Sequence, residues 1–381
     1  MMMRDSGWRA VVAAFAFNGL LLGAWASRVP AFKDGFALTP GALGLLLLAL
    51  AGGAIVSFPF AGLLFERWGA DRLTLRCAWL YGPALVLLAL APTVPLLGLA
   101  LFAFGALHGA MDVAMNGWGA RVEARLGRAT MSIYHAMFSL GAGIGAGSGY
   151  AAVKLGLGPL AHFGAVAGVG GVLVLAAMIP VQGQDGAAPA SDGPRPLLAL
   201  PSGPLVLVGL IAFSVSMGEG AITDWSALFL RAMVQASEAQ AALGYAAFSA
   251  TMVLMRLSGG VVVARLGAVA TTRASGAVAF AGLALVVSTD ALGVALAGFA
   301  LVGIGYAVVM PLAFSRAAAD PAMRPGPAIA SVATLGYGGM LLGPPLVGFV
   351  AQMAGLRMSF AMLALLALLA VTLAPTLRET R

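Results

Sequence analysis

Along the chain, apolar stretches of about twenty residues or more alternate with short clusters of charged and turn-forming residues. At a rise of 1.5 Å per residue, a helix of that length crosses a hydrocarbon core of roughly 30 Å. The pattern predicts helices near 9–30, 41–65, 73–91, 95–121, 130–154, 160–181, 203–230, 238–263, 272–289, 292–316, 327–352 and 357–375. Runs such as Leu45–Phe60 and Leu363–Leu373 do not alternate between apolar and polar residues, so a closed barrel is excluded and spanning helices remain. The first apolar segment follows Arg4 and Arg9, continues too long for a cleaved signal peptide, and reads as a retained helix. The longest polar interruption, Gln182–Ser202, is rich in Gly, Pro, Asp and Ala and reads as a linker between six helices and six more. The expected fold class is therefore an all-α membrane protein of twelve transmembrane helices. Its expected parts are a first six-helix bundle over 1–181, a cytoplasmic linker over 182–202 and a second bundle over 203–381.

Composition strengthens this picture. Apolar residues fill 61% of the 381 positions and charged ones 9%, whereas soluble domains carry about 25% charged residues. A net charge of +7 would suggest nucleic acid in a soluble protein. Here the basic residues sit at helix ends, so they report topology and no nucleic-acid partner is expected. With a cytoplasmic amino terminus, fifteen basic residues fall on the inner side and five, Arg28, Lys33, Lys154, Arg231 and Arg357, on the outer. That asymmetry predicts both termini in the cytoplasm of a multi-pass protein. The single cysteine, Cys77, allows no internal disulfide and no cysteine-built metal site. No ATP-binding Gly-Lys-Ser/Thr loop is present, and no cofactor is expected.

The two halves read as copies. "GLLFERWG" (Gly62–Gly69) recurs as "GVVVARLG" (Gly260–Gly267), 198 residues on, and the same shift carries the Gly105/Gly109 region onto Gly303. A shift of 200 sets Trp25 on Trp225. Parallel six-helix repeats are how one large class of secondary transporters is built, with the substrate near the bilayer midplane.

The segment "GLLFERWGADR" (Gly62–Arg72) resembles the signature loop of the major facilitator superfamily, with Glu66 where Asp is usual. The second copy keeps Arg265 and Gly267 but has Ala264 at the acid. The resemblance implies that Glu66, Arg67, Asp71 and Arg72 gate the cytoplasmic side by pairing the halves; a charged helix end that serves topology is the simpler alternative. "GAWASRVPAF", "MDVAMN", "YHAMFSLGAG", "GEGAITDW" and "VATLGYGGMLLGPPLVG" look like the MosC- and YbjJ-like bacterial branch of that superfamily. More distantly, Asp112 to Asn116 followed by "MFSLGA" resembles the fucose-permease type of proton symporter, with Asp112 at that type's proton-carrying Glu position. These resemblances imply a bacterial inner-membrane transporter, working as a monomer, for protons and a small sugar-, polyol- or inositol-like solute.

Several residues stand out on chemical grounds. Asp112 lies mid-way along the fourth helix, where an unpaired charge in lipid costs about 2.5–3.5 kcal/mol even on lenient scales. It must face a cavity or a partner. His108 and Asn116 lie one turn either side on the same face, forming either the lining of an aqueous path or a polar lock between helices. A carboxyl group in a path of that kind can take a proton from one side and release it to the other. Glu219, between Gly218 and Gly220, is the acid of the second half and a second coupling candidate. Asn18, Trp25, Trp225 and Tyr306, the last at the repeat position of His108, offer amide and aromatic groups suited to a sugar-like ring. Trp25 and Trp225 fit an interfacial belt equally well. Tyr134, His135 and Ser139 are weaker candidates, and His162 is expected at the outer surface. Arg28 and Asp224, near the outer ends of the first and seventh helices, are expected to form an outer gate. Arg256 is expected to snorkel or to pair at the contact between halves, and Gly141, Gly143, Gly145, Gly147 and Gly149 to favour close packing. A proton-driven exporter of a metabolite or drug is the rival with the same fold. A transporter-like receptor is the rival of another class, but it would need a soluble output domain that the sequence lacks. No enzyme activity is expected.

Overall fold

The computed structural model describes residues 5–127, 130–183, 201–323 and 325–378, and these are helix and connecting turn without a strand. Most of the expected linker, and Arg4, Arg128, Arg195, Arg324 and Arg381 of the charge pattern, lie outside the described residues. The helices are α1 (Ser6–Gly35), α2 (Pro40–Trp68), α3 (Ala70–Leu90), α4 (Val94–Leu126), α5 (Met131–Lys154), α6 (Pro159–Met178), α7 (Leu205–Met233), α8 (Glu238–Ser288), α9 (Leu292–Tyr306), α10 (Val309–Ala318), α11 (Pro325–Ala354) and α12 (Leu356–Leu373). Ten helices among the described residues, α9 and α10 counting as one, are long and apolar enough to cross a membrane. The gly- and ser-rich α5 is not one of the ten.

The sequence pattern placed the helices and misjudged their joints. A loop was expected between the eighth and ninth spans, yet α8 runs for 51 residues and is interrupted only at Gly267, where φ is 77° and ψ 163°. The joint between α2 and α3 has the same form at Gly69, with φ 89° and ψ 156°. A single residue in a backbone region open to glycine absorbs each reversal, so no polar loop is needed. The two glycines are 198 positions apart, the displacement read from the motif. The expected tenth span is instead broken into α9 and α10. Pro311 explains the break, because its ring crowds the carbonyl four residues back and offers that carbonyl no N–H.

The chain divides into two compact units. The first contains α1, α2 from Leu46 onward and α3 to α6; the second contains α7 to α12 together with Leu38–Leu45 at the start of α2. Backbone-to-backbone contacts of glycine organise each. In the first unit a Cβ at Gly141 would stand 2.0 Å from the Ala16 carbonyl oxygen, and one at Gly145 2.1 Å from that of Leu20. In the second, a Cβ at Gly339 would stand 2.1 Å from the Phe213 oxygen and one at Gly343 2.4 Å from that of Met217. Side chains of any size are excluded where helices touch this closely. The α2·α4 contact of Gly105 with Leu50 likewise recurs as Gly303 with Phe248 in α8·α9. Of the expected glycine stripe on α5, Gly147 has no neighbour within 4 Å of a built Cβ, because helical periodicity turns it away from α1.

These contacts correct one alignment. Gly141 and Gly339 differ by 198 positions, but their carbonyl partners Ala16 and Phe213 differ by 197. At that register α7 pairs Trp25 with Ile222 and Arg28 with Trp225. The shift of 200 matched two rare residues by identity alone.

Candidate functional site

The polar stripe of α4 is half-buried at His108, Asp112 and Asn116. Asn116 donates from its side-chain nitrogen to the Asp112 carboxylate at 3.1 Å and to the Asp112 carbonyl at 2.9 Å. His108 Nδ1 shares a hydrogen bond of 3.0 Å with the hydroxyl of Tyr81 on α3. The first unit thus holds an acid, an amide, an imidazole and a phenol in two linked pairs along one helix face. Such a set can bind hydroxyls and hold a proton on a carboxyl group.

Asn18 on α1 is fully buried, with its nitrogen 3.6 Å from the Met115 sulfur and its oxygen without a partner among the described residues. Trp25 is fully buried against Phe32, with ring centroids 5.1 Å apart, and its indole N–H also lacks a partner among the described residues. That burial removes the interfacial-belt reading of Trp25. Tyr134 and His135 both pack on Phe15, so they serve the α1·α5 contact, and Ser139 donates to the His135 carbonyl at 3.2 Å.

In the second unit Glu219 meets Arg256 of α8 at 3.6 Å, with both side chains about one-seventh exposed. The expected reading of Arg256 changes accordingly. It lies about three turns before the break at Gly267, too deep to snorkel, and its acid partner belongs to its own unit. The glycines beside Glu219 are occupied: a Cβ at Gly218 would collide with the Tyr306 ring and hydroxyl, and one at Gly220 with the Met340 carbonyl. Tyr306 is buried, and its hydroxyl has no partner among the described residues. Trp225 is also fully buried and is no belt residue. Its indole N–H donates to the Pro344 carbonyl at 2.9 Å, which ties α7 to α11.

At the joint after α2, Asp71 is buried in the first turn of α3 and accepts from the Gly183 N–H. A negative charge suits that position at a helix amino terminus. Glu66, Arg67 and Arg72 are exposed. Arg76 lies 3.9 Å over the Trp68 ring and Arg121 4.7 Å over Phe65, so cations cover the aromatic end of α2. Arg28 is buried near the other end of α1, with Nη2 donating to the Leu157 carbonyl, and Asp224 is buried on α7. The outer-surface expectation for His162 fails. It is buried and bonded at 2.8 Å to Ser148, because α5 and α6 meet there.

Two features escaped the sequence reading. Tyr81 looked like one more aromatic in an apolar helix and left no signal. The Glu219–Arg256 pair did leave one, since lone opposite charges on consecutive spans are expected to find each other.

Residues 10–325 match a family model described as Major Facilitator Superfamily. An uncharacterized transporter, y4wD, of Sinorhizobium fredii is 45% identical over 373 residues, 98% of each chain. An uncharacterized MFS-type transporter of Yersinia pestis is 37% identical, covering 93% of this chain and 91% of its own length. The membrane protein MosC of Rhizobium meliloti is 32% identical, covering 91% and 84%. Among solved structures, that of the nucleoside transporter NupG superposes with a TM-score of 0.72 at 15% identity, covering 99% of this chain and all of that one, which supports the fold alone.

Proposed function

The chain belongs to the Major Facilitator Superfamily, whose members move small solutes across membranes, and from that premise we propose that it is a proton-driven secondary transporter for a small sugar-, polyol- or inositol-like solute. It is an integral membrane protein. In this reading its twelve spans are the ten long helices, with α8 counted as two, and α5. It sits in a bacterial inner membrane with both termini in the cytoplasm, as the basic residues suggest, and it works as a monomer by alternating access.

The observation that carries the reading is the α4 stripe, where Asp112 and Asn116 are half-buried and bonded at 3.1 Å. An ionisable residue at that depth is a mark of a transport path by default. Asp112 carries the proton, and Glu219 is the ionisable acid of the second unit. Asn18, Trp25, His108, Asn116 and Tyr306 bind the solute. Three of these hold a buried polar atom without a partner among the described residues, and a solute hydroxyl or water would satisfy it. Trp225 braces α11. Arg28 and Asp224 close the outer side, and Glu66, Arg67, Asp71 and Arg72 act at the cytoplasmic side.

Purified protein in proteoliposomes tests the reading. With an inward proton gradient, at least one sugar, polyol or inositol should accumulate above its external concentration, and a protonophore should abolish the accumulation. Outward pumping of every transported compound would instead establish the exporter.

A further inference from the structure

In the first unit, one face of α3 is uncovered along its whole length. Arg72, Arg76, Trp79, Leu80, Leu87 and Leu90 are exposed, and their spacing sets them on one side of the helix, whereas Leu73, Tyr81, Leu85 and Leu88 are buried on the other. The two arginines stand one turn apart beside the Gly69 joint, and the apolar side chains continue beneath them into the span. Arg76 rests 3.9 Å over the Trp68 ring, and a Cβ built at Gly183 would stand 3.3 Å from Arg72 Nη2, so both guanidiniums are placed by neighbouring elements. Like charges at this spacing repel each other. Neither arginine makes an ion pair among the described residues, and Asp71, the acid nearest in sequence, is buried and accepts from the Gly183 N–H. A pair of guanidiniums above an apolar face, with Trp68 and Trp79 at its upper end, suits a phosphate that carries acyl chains.

We propose that this face of α3 is a binding site for an anionic glycerophospholipid of the adjoining leaflet, with the phosphate held between Arg72 and Arg76 and the acyl chains lying along Trp79, Leu80, Leu87 and Leu90. The second unit shows that topology alone does not call for the arrangement. At the displacement of 198, Arg72, Arg76 and Trp79 fall on Ala270, Ala274 and Ala277, which are exposed as well, and Trp68 falls on Leu266. That unit keeps basic residues at the same joint, Arg265 and Arg273, so the charge rule is met there without two arginines on one apolar stripe. Guanidinium binds phosphate through paired N–H donors, and its charge adds attraction for an anionic headgroup that a zwitterionic one does not match. The stacking of Arg76 on Trp68 holds one donor set in place before the lipid arrives, which lowers the ordering cost of binding. The site is separate from the α4 stripe. It adds a lipid contact to Arg72, which the transport reading sets at the cytoplasmic side.

Native mass spectrometry of the purified, delipidated full chain tests this, with phosphatidylglycerol titrated against phosphatidylcholine of the same acyl chains. The first phosphatidylglycerol should bind about tenfold more tightly than phosphatidylcholine. The double variant Arg72→Gln/Arg76→Gln should lose that preference and bind both lipids alike. Both substitutions are at exposed positions, so its melting temperature in detergent without lipid should match that of the wild type. Arg273→Gln removes an exposed charge from the second unit and should leave the preference whole. Glycerol 3-phosphate, which has the phosphate without the chains, should not displace the lipid at equal concentration. Equal binding of the two lipids by the wild type, a preference that survives the double variant, an equal loss in Arg273→Gln, or displacement by glycerol 3-phosphate would each overturn the proposal. None of these results bears on solute transport, which is measured separately.

Discussion

The two units place glycine against carbonyl in the same way and place ionisable groups in different ways. Gly141 on Ala16 and Gly105 on Leu50 return as Gly339 on Phe213 and Gly303 on Phe248. Even where the residues differ the contact survives: Gly53 meets the Phe102 carbonyl, and its counterpart Thr251 donates to that of Ala300 at 2.8 Å. At the same displacements, Asp112 falls on Met310, Asn116 on Phe314 and Tyr81 on Ala279, while Glu219 and Arg256 fall on Leu22 and Phe58. Helix contact is constrained at the backbone, where a single methyl collides, so both copies hold it. The polar residues answer to chemistry and have diverged. Asp112 sits in a hydrogen-bonded cluster with the Asn116 amide, whereas Glu219 faces the Arg256 guanidinium at 3.6 Å. The comparison suggests two separate jobs on one scaffold.

The sharpest way to break that contrast is to remove one charge from each unit. Arg256→Ala should cost about 3–5 kcal/mol, toward the lower end given partial exposure, because an unpaired carboxylate is left behind. Asp112→Asn, nearly the same shape, should change the melting temperature little. Unfolding of both purified variants in one detergent measures this, and equal stability would mean that the Glu219–Arg256 pair does not hold the second unit.

Packing should respond equally in the two units. Gly141→Ala and Gly339→Ala should each cost about 1–3 kcal/mol or more, since the added methyl has no room. Gly147→Ala and Gly338→Ala, with no atom within 4 Å of the new Cβ, should be silent. Melting temperatures that ignore this division would undo the shared scaffold. A smaller effect is expected at Tyr81, which the second unit replaces by alanine. Tyr81→Phe should lower stability by about 1 kcal/mol for the lost hydrogen bond, as measured by its melting temperature in detergent.

Much of the fold could be read from the sequence because membrane spans are written in long apolar runs with charges at their ends. The joints were read as too long, since Gly69 and Gly267 each turn the chain within one residue and the charged residues beside Gly69 belong to the flanking helices. Asp112, His108 and Asn116 were legible as a stripe because three polar residues at helical spacing are rare in an apolar helix. Their partner Tyr81 was not, because an aromatic there is also good core. The depth of Arg256 was misjudged for a related reason: α8 runs on through residues that look like a loop end, so the apparent helix terminus came too early. The Trp25–Trp225 match misled because tryptophan is scarce, and the true register is set by glycine contacts that only coordinates reveal.

The central claim, that Asp112 carries the driving proton, is tested most directly by Asp112→Asn in proteoliposomes, once a transported solute is in hand. Uptake driven by an inward proton gradient should fall to background, while counterflow exchange of labelled for unlabelled solute at equal pH should persist at a substantial fraction of the wild-type rate. Full gradient-driven accumulation by the variant would contradict the account.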